Sequence, residues 1–223
     1  MSSPNTGLSR SPKLLRGGLA RIDPITRTLL DVLTFQYNPD TVTRTLQPRS
    51  IGGEPGDRLE VLRLTGPPHE SIKFDAELDA TDQLEHPDQN PLAAGHGLLP
   101  ALACLERLIT PAAAELIAVD ALLDRGQLEI VPAEAPLTVL VWGAERVLPV
   151  TIASMSITEE AYDSRLRPLR AKVSLECKVL TTNDLPARHL GGGLYLAYRQ
   201  GLERLAAQAG TADIQPLGLA KLP

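Results

Sequence analysis

Aromatic residues are scarce in this chain of 223 residues, which contains two Phe, one Trp and four Tyr. Hydrophobic residues make up 43% of the sequence, as in ordinary globular proteins, so we expect a core built from Leu, Val, Ile and Ala. No window approaches the ~20 apolar residues of a membrane-spanning helix. Residues 1–18 contain no apolar segment of the kind that a secretory signal needs. The composition therefore predicts no membrane span, and synthesis and assembly in the cytoplasm.

Basic charge and cysteine are also limited. Lys and Arg number 22 against 27 Asp and Glu, and the resulting net charge of −5 argues against a non-specific nucleic-acid binder, which needs a basic face. Cys104 and Cys177 are the only cysteines, and no Cys-x-x-Cys or Cys/His cluster indicates a zinc site. Both lie in apolar patterns, so we expect two buried free thiols.

Catalytic motifs are lacking as well. The sequence has no Gly-x-Ser-x-Gly elbow, no His-Glu-x-x-His pair and no phosphate-binding glycine loop. Glu159 and Glu160 are neighbours on a predicted strand and would point to opposite faces, which does not suit a paired acid and base. We therefore expect no catalytic residue, no metal and no cofactor.

One alternative stays open. The loops at residues 82–97 and 185–193 carry His86, His96 and His189. A ligand-binding or enzymatic β-barrel could build its site from these two loops, and a deep pocket lined by the three histidines would favour it.

Strand-like alternation dominates the patterns that are present. Residues 72–79 alternate apolar and polar side chains, and residues 169–179 form the most regular period-two pattern of the chain. A third strand is predicted around residues 150–158, with Ile152 on one face and Met155 and Ile157 on the other. Such alternation is typical of half-buried antiparallel strands.

Helical patterns occur in two places. Leu98, Leu102, Leu105 and Ile109 share one helical stripe. A second inserted helix is predicted to begin at Thr110 and Pro111 and to stop at Gly126. A C-terminal helix is predicted from Leu194 onward, after a loop that ends in three glycines at residues 191–193.

These patterns predict an α+β fold, mainly antiparallel β, with one or two inserted helices and a C-terminal helix. The domain organisation follows the same boundaries. Residues 1–13 are expected to form a flexible arm, because they are rich in Ser, Pro, Asn and Gly. Residues 14–182 form the β domain, with a helical insertion near 98–125, and residues 183–223 form the C-terminal helix and tail.

Three short motifs carry a family resemblance. They are Phe35-x-Tyr37-Asn38-Pro39 at the end of an early strand, Trp142-Gly143 at the end of a later one, and Pro168-Leu169-Arg170-Ala171 at the start of the long alternating strand. With these motifs, residues 14–182 resemble the tube-type domain of contractile injection systems, the phage-tail-derived particles. In that family the matching positions have packing and turn roles, so the resemblance marks them as fold and assembly positions.

The resemblance implies a tube-like fold, either a β-barrel or two packed sheets, assembled in hexameric rings. It implies a structural subunit that forms or caps the inner tube at the baseplate hub, with the chain itself, tube, spike-hub and baseplate proteins as partners. The protein would be part of the mature particle. The resemblance leaves open whether that particle stays in the cell or is released. After Leu180 the chain departs from the family, because a helical pattern stands where many members carry a LysM module. The basic face of Arg170, Lys172 and Lys178 is the first place expected to hold ring contacts.

Overall fold

The computed structural model describes residues 15–49, 63–126 and 134–209. The predicted N-terminal arm at residues 1–13 lies outside these ranges, as does the predicted tail beyond residue 209. The strands are β1 (Gly18–Ile22), β2 (Leu29–Thr34), β3 (Val42–Gln47), β4 (His69–Asp79), β5 (Leu137–Val141), β6 (Val147–Tyr162) and β7 (Pro168–Val179). The helices are α1 (Thr81–Leu84), α2 (Pro91–His96), α3 (Leu99–Glu106), α4 (Ala113–Asp124) and α5 (Leu190–Ala209).

All seven strands belong to one antiparallel sheet in the order β2-β1-β5-β6-β7-β4-β3. The predicted α+β, mainly antiparallel fold is confirmed. Within the described part of the chain the sheet is open, because β2 and β3 are its two edge strands and do not pair with each other. A closed barrel or a second packed sheet is not seen in these residues.

The sheet is strongly curled around one core. In a flat sheet β2 and β4 would be about 24 Å apart, because five strand spacings of about 4.8 Å separate them. Phe35 follows β2 directly, yet its ring centroid lies 5.3 Å from that of Phe74 on β4. The two ends of the sheet therefore meet over a shared core, to which β1, β5 and β7 also contribute.

The alternation of β4 and β7 is confirmed by burial. Ile72, Phe74, Ala76 and Leu78 of β4 are buried, as are Ala171, Val173, Leu175, Cys177 and Val179 of β7. In β6 the predicted faces are wrong beyond Ile152. The register shifts between Ile152 and Ser154, so a β-bulge at Ala153 moves Met155 and Ile157 to the side that packs against the core.

The insertion between β4 and β5 holds four helices, two of them short, where one or two were expected. Leu98, Leu102 and Leu105 are buried as predicted, whereas Ile109 lies beyond the end of α3 and is exposed. The predicted start of the second helix is also wrong, because the N-cap of α4 is Ala112 and not Thr110. Its predicted end is confirmed, since Gly126 has a positive φ of 73° just after the helix.

α5 begins earlier than predicted. It starts at Leu190, so Gly191–Gly193 form its first turn and do not belong to the preceding loop. The helix packs on the sheet through Tyr195 and Tyr198, which join the core. Two of the scarce aromatic residues therefore hold the C-terminal helix in place.

The two thiols differ, which corrects one prediction. Cys177 on β7 is buried and free, and desolvation raises its pKa to about 12. Cys104 is free but exposed, because it lies on the outer side of α3 while Leu102 and Leu105 face the core. Only one of the two expected buried thiols is buried.

The turn between β6 and β7 is organised by Asp163. Its carboxylate accepts the backbone N–H groups of Arg165 at 2.8 Å and Arg167 at 2.9 Å, and the Arg167 side chain at 2.6 Å. The hydrogen bond from the Arg167 side chain is the main cause that lowers the Asp163 pKa to about 2. Arg167 also donates to the carbonyls of Ala94 and Gly95, which ties the hairpin tip to α2.

The contribution of this turn to the stability of the protein should be lost at acid pH. Because folding lowers the Asp163 pKa from 3.8 to about 2, the contribution is complete above about pH 4 and disappears as the pH falls towards 2. We expect the Asp163 carboxyl carbon to titrate at about 2 by NMR. The difference in stability between the parent and Asp163→Asn should shrink over the same pH interval. A titration midpoint near 3.8 would show that the turn does not form this way in solution.

Candidate functional site

The most distinctive surface of the sheet is a free edge on β6. β5 pairs with β6 only over residues 147–150, whereas β7 pairs with β6 as far as Tyr162. From Ile152 to Tyr162, β6 therefore has only one neighbour among the described strands. We call this stretch the β6 edge. Long free edges are uncommon in isolated proteins because they can pair with a strand of another chain.

Two hydrogen bonds show which backbone groups of the β6 edge point outward. On β7, Leu169 accepts a bond from Ala80 after β4, and the N–H of Leu180 bonds to Pro149 of β6. Backbone groups alternate in direction along an antiparallel strand, so odd-numbered residues of β7 face β4 and even-numbered ones face β6. Glu159 is opposite Ala171, an odd position, and its N–H and C=O therefore point away from β7.

The outer face beside this edge is polar and paired within the chain. Lys73 bonds Glu176 at 3.1 Å, Arg170 bonds Asp79 at 2.8 Å and Lys178 bonds Asp184 at 3.0 Å. Lys172 lies 3.8 Å from Asp75, whose carboxylate accepts the hydroxyl of Ser174 at 2.7 Å. The basic side chains that were expected to make ring contacts thus already have acidic partners, two on β4 and one in the connection after β7.

A second free edge is apolar. Among the described strands β2 pairs with β1 alone, and it exposes Leu29, Leu30 and Val32. Its backbone is therefore available along one whole side. Together with β3, which pairs only with β4, the described sheet offers three stretches of unpaired strand.

Two of the sequence motifs meet in an aromatic cluster. Phe35 and Trp142 lie 6.0 Å apart between ring centroids, and each also contacts Phe74. Gly17 leaves room for this cluster, since a Cβ there would lie 3.1 Å from the Trp142 ring and 3.3 Å from Phe35. Sequence reasoning placed Phe74 on the same face as Ile72 but did not connect it with Phe35 or Trp142.

The polar residues of the first motif hold neighbouring backbone. The Asn38 amide accepts the N–H of Gly17 and donates to the carbonyl of Leu15, both at 2.9 Å. Tyr37 is half exposed and its hydroxyl lies 3.4 Å from Asp82 after β4. Pro39 lies in the connection between β2 and β3. The motif thus joins the start of β1 to the end of β2.

The other two motifs also have structural positions. Gly143 has a φ of 78° in the tight turn that the Trp142 N–H closes by bonding Arg146. Pro168 and Ala171 are buried on β7, and the Pro168 carbonyl accepts the N–H of Leu98. Arg170 is exposed and pairs with Asp79. Sequence motifs that lie far apart therefore join the turns and the core of one sheet.

A buried charge was missed from the sequence. Glu70 on β4 is only 5% exposed and pairs with Arg44 of β3, whose guanidinium donates at 2.7 Å and 2.6 Å to the same carboxylate oxygen. Arg44 also donates to the Tyr198 hydroxyl at 2.8 Å, so the pair fastens α5 to the sheet. The parity of Glu70 with Ile72 was the available signal, because it placed Glu70 on the inner face.

The loop histidines line neither of the two concave regions found along α5. His189 is half-buried before α5, where its Nδ1 accepts the N–H of Gly191, and its Nε2 lies 3.5 Å from Glu134. The two concave regions have volumes of about 570 Å³ and about 280 Å³. A search of the same ranges finds no group of three or more metal-ligating side chains.

Comparison with known proteins gives no family for this chain. Neither the protein-family models nor the curated proteins contain a match. Among the helices of the described ranges, none is both long and apolar enough to cross a membrane.

Proposed function

We propose that this protein is a structural, non-enzymatic subunit of a contractile injection particle, which forms or caps the inner tube at the baseplate hub. The β6 edge is the observation that carries this proposal. Among the described residues, the 11-residue stretch from Ile152 to Tyr162 has a strand partner on one side alone. On the other side, the Glu159 C=O accepts the Tyr162 hydroxyl at 3.4 Å. A subunit of a ring needs such an edge if its sheet continues into the next subunit.

The ring would continue the described sheet, which is open within one chain, into a barrel shared by the copies. We propose that the β6 edge of one copy pairs with a free edge strand of the next copy. The apolar β2 fits this role because Leu30 and Val32 would leave water on contact. Two different surfaces then meet at each junction, and such heterologous contacts close into a ring when the rotation between copies is right.

The polar face of β4 and β7 suits one wall of the tube. Most of its acids and bases are paired within the chain, so few of them need a partner to neutralise them. A face of this kind can line a water-filled channel at little cost in free energy. Ring contacts would then come from backbone edges and not from Arg170, Lys172 and Lys178.

A proline at Glu159 tests the edge directly. The Glu159 N–H points away from β7, so Glu159→Pro removes an outward donor while it keeps the bonds within the sheet. We expect rings in negative-stain micrographs of the parent protein and at least a tenfold weaker self-association of Glu159→Pro, measured by sedimentation velocity.

Glu159→Ala is the matched control, because it loses the same side chain and keeps the N–H. It should form rings as the parent does, and both variants should show parental circular dichroism. If Glu159→Pro formed rings at the same protein concentration as the parent, the β6 edge would not be the ring contact.

The place in the particle is tested in cells that make the protein. We expect it to co-purify with sheathed, needle-shaped particles and with tube, spike-hub and baseplate proteins, and we expect the deletion strain to lack intact particles. Cell and culture-medium fractions would show whether the particles are retained or released. Intact sheathed particles without the gene would contradict the proposed role.

A further inference from the structure

Two edge strands of the described sheet, β2 and β3, are available to meet the β6 edge of another copy. β2 exposes more apolar side chains than β3, but the direction of the backbone groups also decides whether a strand can continue the sheet. All six described strand pairs are antiparallel, and antiparallel pairs are slightly more stable per residue than parallel ones. An antiparallel pair is therefore the expected continuation of the sheet.

The outward backbone groups of the β6 edge belong to residues whose side chains lie on the core side of the sheet. Ile157 and Glu159 are opposite Val173 and Ala171, whose backbone groups face β4, so the groups of Ile157 and Glu159 point away from β7. Val173 and Ala171 are buried, and opposite residues of a strand pair lie on the same face. An antiparallel partner must therefore also have core-side side chains on the residues whose backbone groups point outward.

The free side of β3 belongs to its even-numbered residues. The N–H of Ala80, just after β4, bonds to Leu169 of β7, so odd-numbered residues of β4 face β3. Thr43 is opposite Lys73, an odd position, and its backbone groups therefore point towards β4. The outward groups of β3 are those of Val42, Arg44 and Leu46.

These even-numbered residues of β3 have their side chains on the core side, as the β6 edge requires. Val42 is opposite the buried Phe74 and packs against the core. Arg44 is opposite Ile72 and pairs with the buried Glu70. β3 therefore matches the β6 edge in the direction of its backbone groups and in the face of its side chains.

β2 has the opposite arrangement. The Phe35 N–H bonds to Gly17 before β1, so odd-numbered residues of β2 face β1. The outward groups belong to Val32 and Thr34, which are exposed, whereas Leu33 packs against the core. An antiparallel pair of β2 with the β6 edge would join the core side of one copy to the solvent side of the next. β2 keeps the two sides aligned only in a parallel pair.

We infer that β3 of one copy pairs in antiparallel order with the β6 edge of the next copy. This inference rests on the proposed ring, and it names the strand that closes each junction. On the core side, the half-exposed Leu46 gains cover from the partner strand. On the other face, Thr45 meets Ser156 or Thr158, and pairs of hydroxyl side chains across strands are favourable. The polar face of β4 and β7 then continues from copy to copy.

Single cysteines on two separate chains test this junction. Cys104→Ser is made in both chains, because Cys104 is exposed. One chain carries Thr45→Cys, and the other carries Ser156→Cys, Thr158→Cys or Glu160→Cys, one for each register that keeps the faces aligned. We expect a disulfide between the unlike chains of the ring in one of the three mixtures, since opposite residues of an antiparallel pair are close enough for it. Val32→Cys on β2 should react with none of the three.

Proline variants compare the two strands without a cross-link. Leu46→Pro removes an outward N–H of β3, and Val32→Pro removes an outward N–H of β2. We expect Leu46→Pro to weaken self-association at least about tenfold in sedimentation velocity, as a lost hydrogen bond at every junction should, and Val32→Pro to leave it unchanged. Leu46→Ala is the matched control, and it should weaken self-association less than Leu46→Pro. All variants should keep the parental circular dichroism.

The outcomes separate this inference from the proposed ring. A parent protein that forms no rings would overturn both. If Glu159→Pro lost the rings while Leu46→Pro kept them, the β6 edge would remain the ring contact and β3 would not be its partner. A disulfide from Val32→Cys, or rings without a disulfide from Thr45→Cys in any of the three mixtures, would also overturn the pairing with β3 alone.

Discussion

Replacing Phe35 by alanine is expected to lower the free energy of unfolding by about 3–5 kcal/mol. Phe35 is 2% exposed, and its ring meets Phe74 edge-on at 5.3 Å and Trp142 at 6.0 Å. In a protein with only two phenylalanines and one tryptophan, all three lie in this cluster. Removing one ring leaves a cavity between the two ends of the sheet, and few other large side chains are available to fill it.

Urea unfolding followed by circular dichroism measures this effect, and Trp142 fluorescence reports on the cluster directly. Ile25→Ala is the control, because Ile25 is 86% exposed and its loss should change the stability by less than about 0.5 kcal/mol. If Phe35→Ala cost no more than Ile25→Ala, the ends of the sheet would not meet in solution as they do here.

The second large effect is expected at Gly192. Glycine to alanine within a helix normally stabilises by up to about 1 kcal/mol. At Gly192 we expect the opposite, a loss of about 2–3 kcal/mol. A Cβ there would collide with the carbonyl oxygen of Pro186 and would lie 2.8 Å from that of Leu185. Both atoms belong to the backbone, so they cannot move aside as a flexible side chain could.

Gly193 supplies a matched control one residue away. A Cβ at Gly193 meets only the Ala187 carbonyl, at an ordinary 3.7 Å, so Gly193→Ala should be neutral or slightly stabilising. Thermal unfolding of both variants shows whether each substitution raises or lowers the stability. Equal effects at the two positions would mean that the first turn of α5 does not pack against residues 185–187.

Both substitutions affect the packing that holds the strand edges in place, which we call the frame. The aromatic cluster joins the two ends of the sheet, and α5 covers the sheet through Tyr195 and Tyr198. With the frame fixed, the β6 edge and β2 remain at the margins of the sheet, where another chain could reach them. Variants that loosen the frame should therefore reduce ring formation as well as stability, whereas Glu159→Pro should reduce ring formation alone.

The sequence by itself determined the strands around residues 72–79, 150–158 and 169–179, and which faces of β4 and β7 are buried. A period-two pattern such as Ile72, Phe74 and Ala76 can be recognised in the sequence because the side chains of a strand alternate between core and solvent. It also determined the C-terminal helix and the position of Gly126 after α4. The same parity marked Phe74 as inward, whereas the inward position of Glu70 was missed, and only the structure showed what the two side chains contact.

Only the tertiary structure decided the features on which the proposed function depends. The bulge at Ala153 reverses the faces of β6, and a single extra residue leaves no periodic signal of its own. The role of Gly192 follows from the nearby Pro186 carbonyl, which local sequence cannot place. The β6 edge exists because β5 is short and β6 is long, and strand partners are set by packing between segments far apart in the chain.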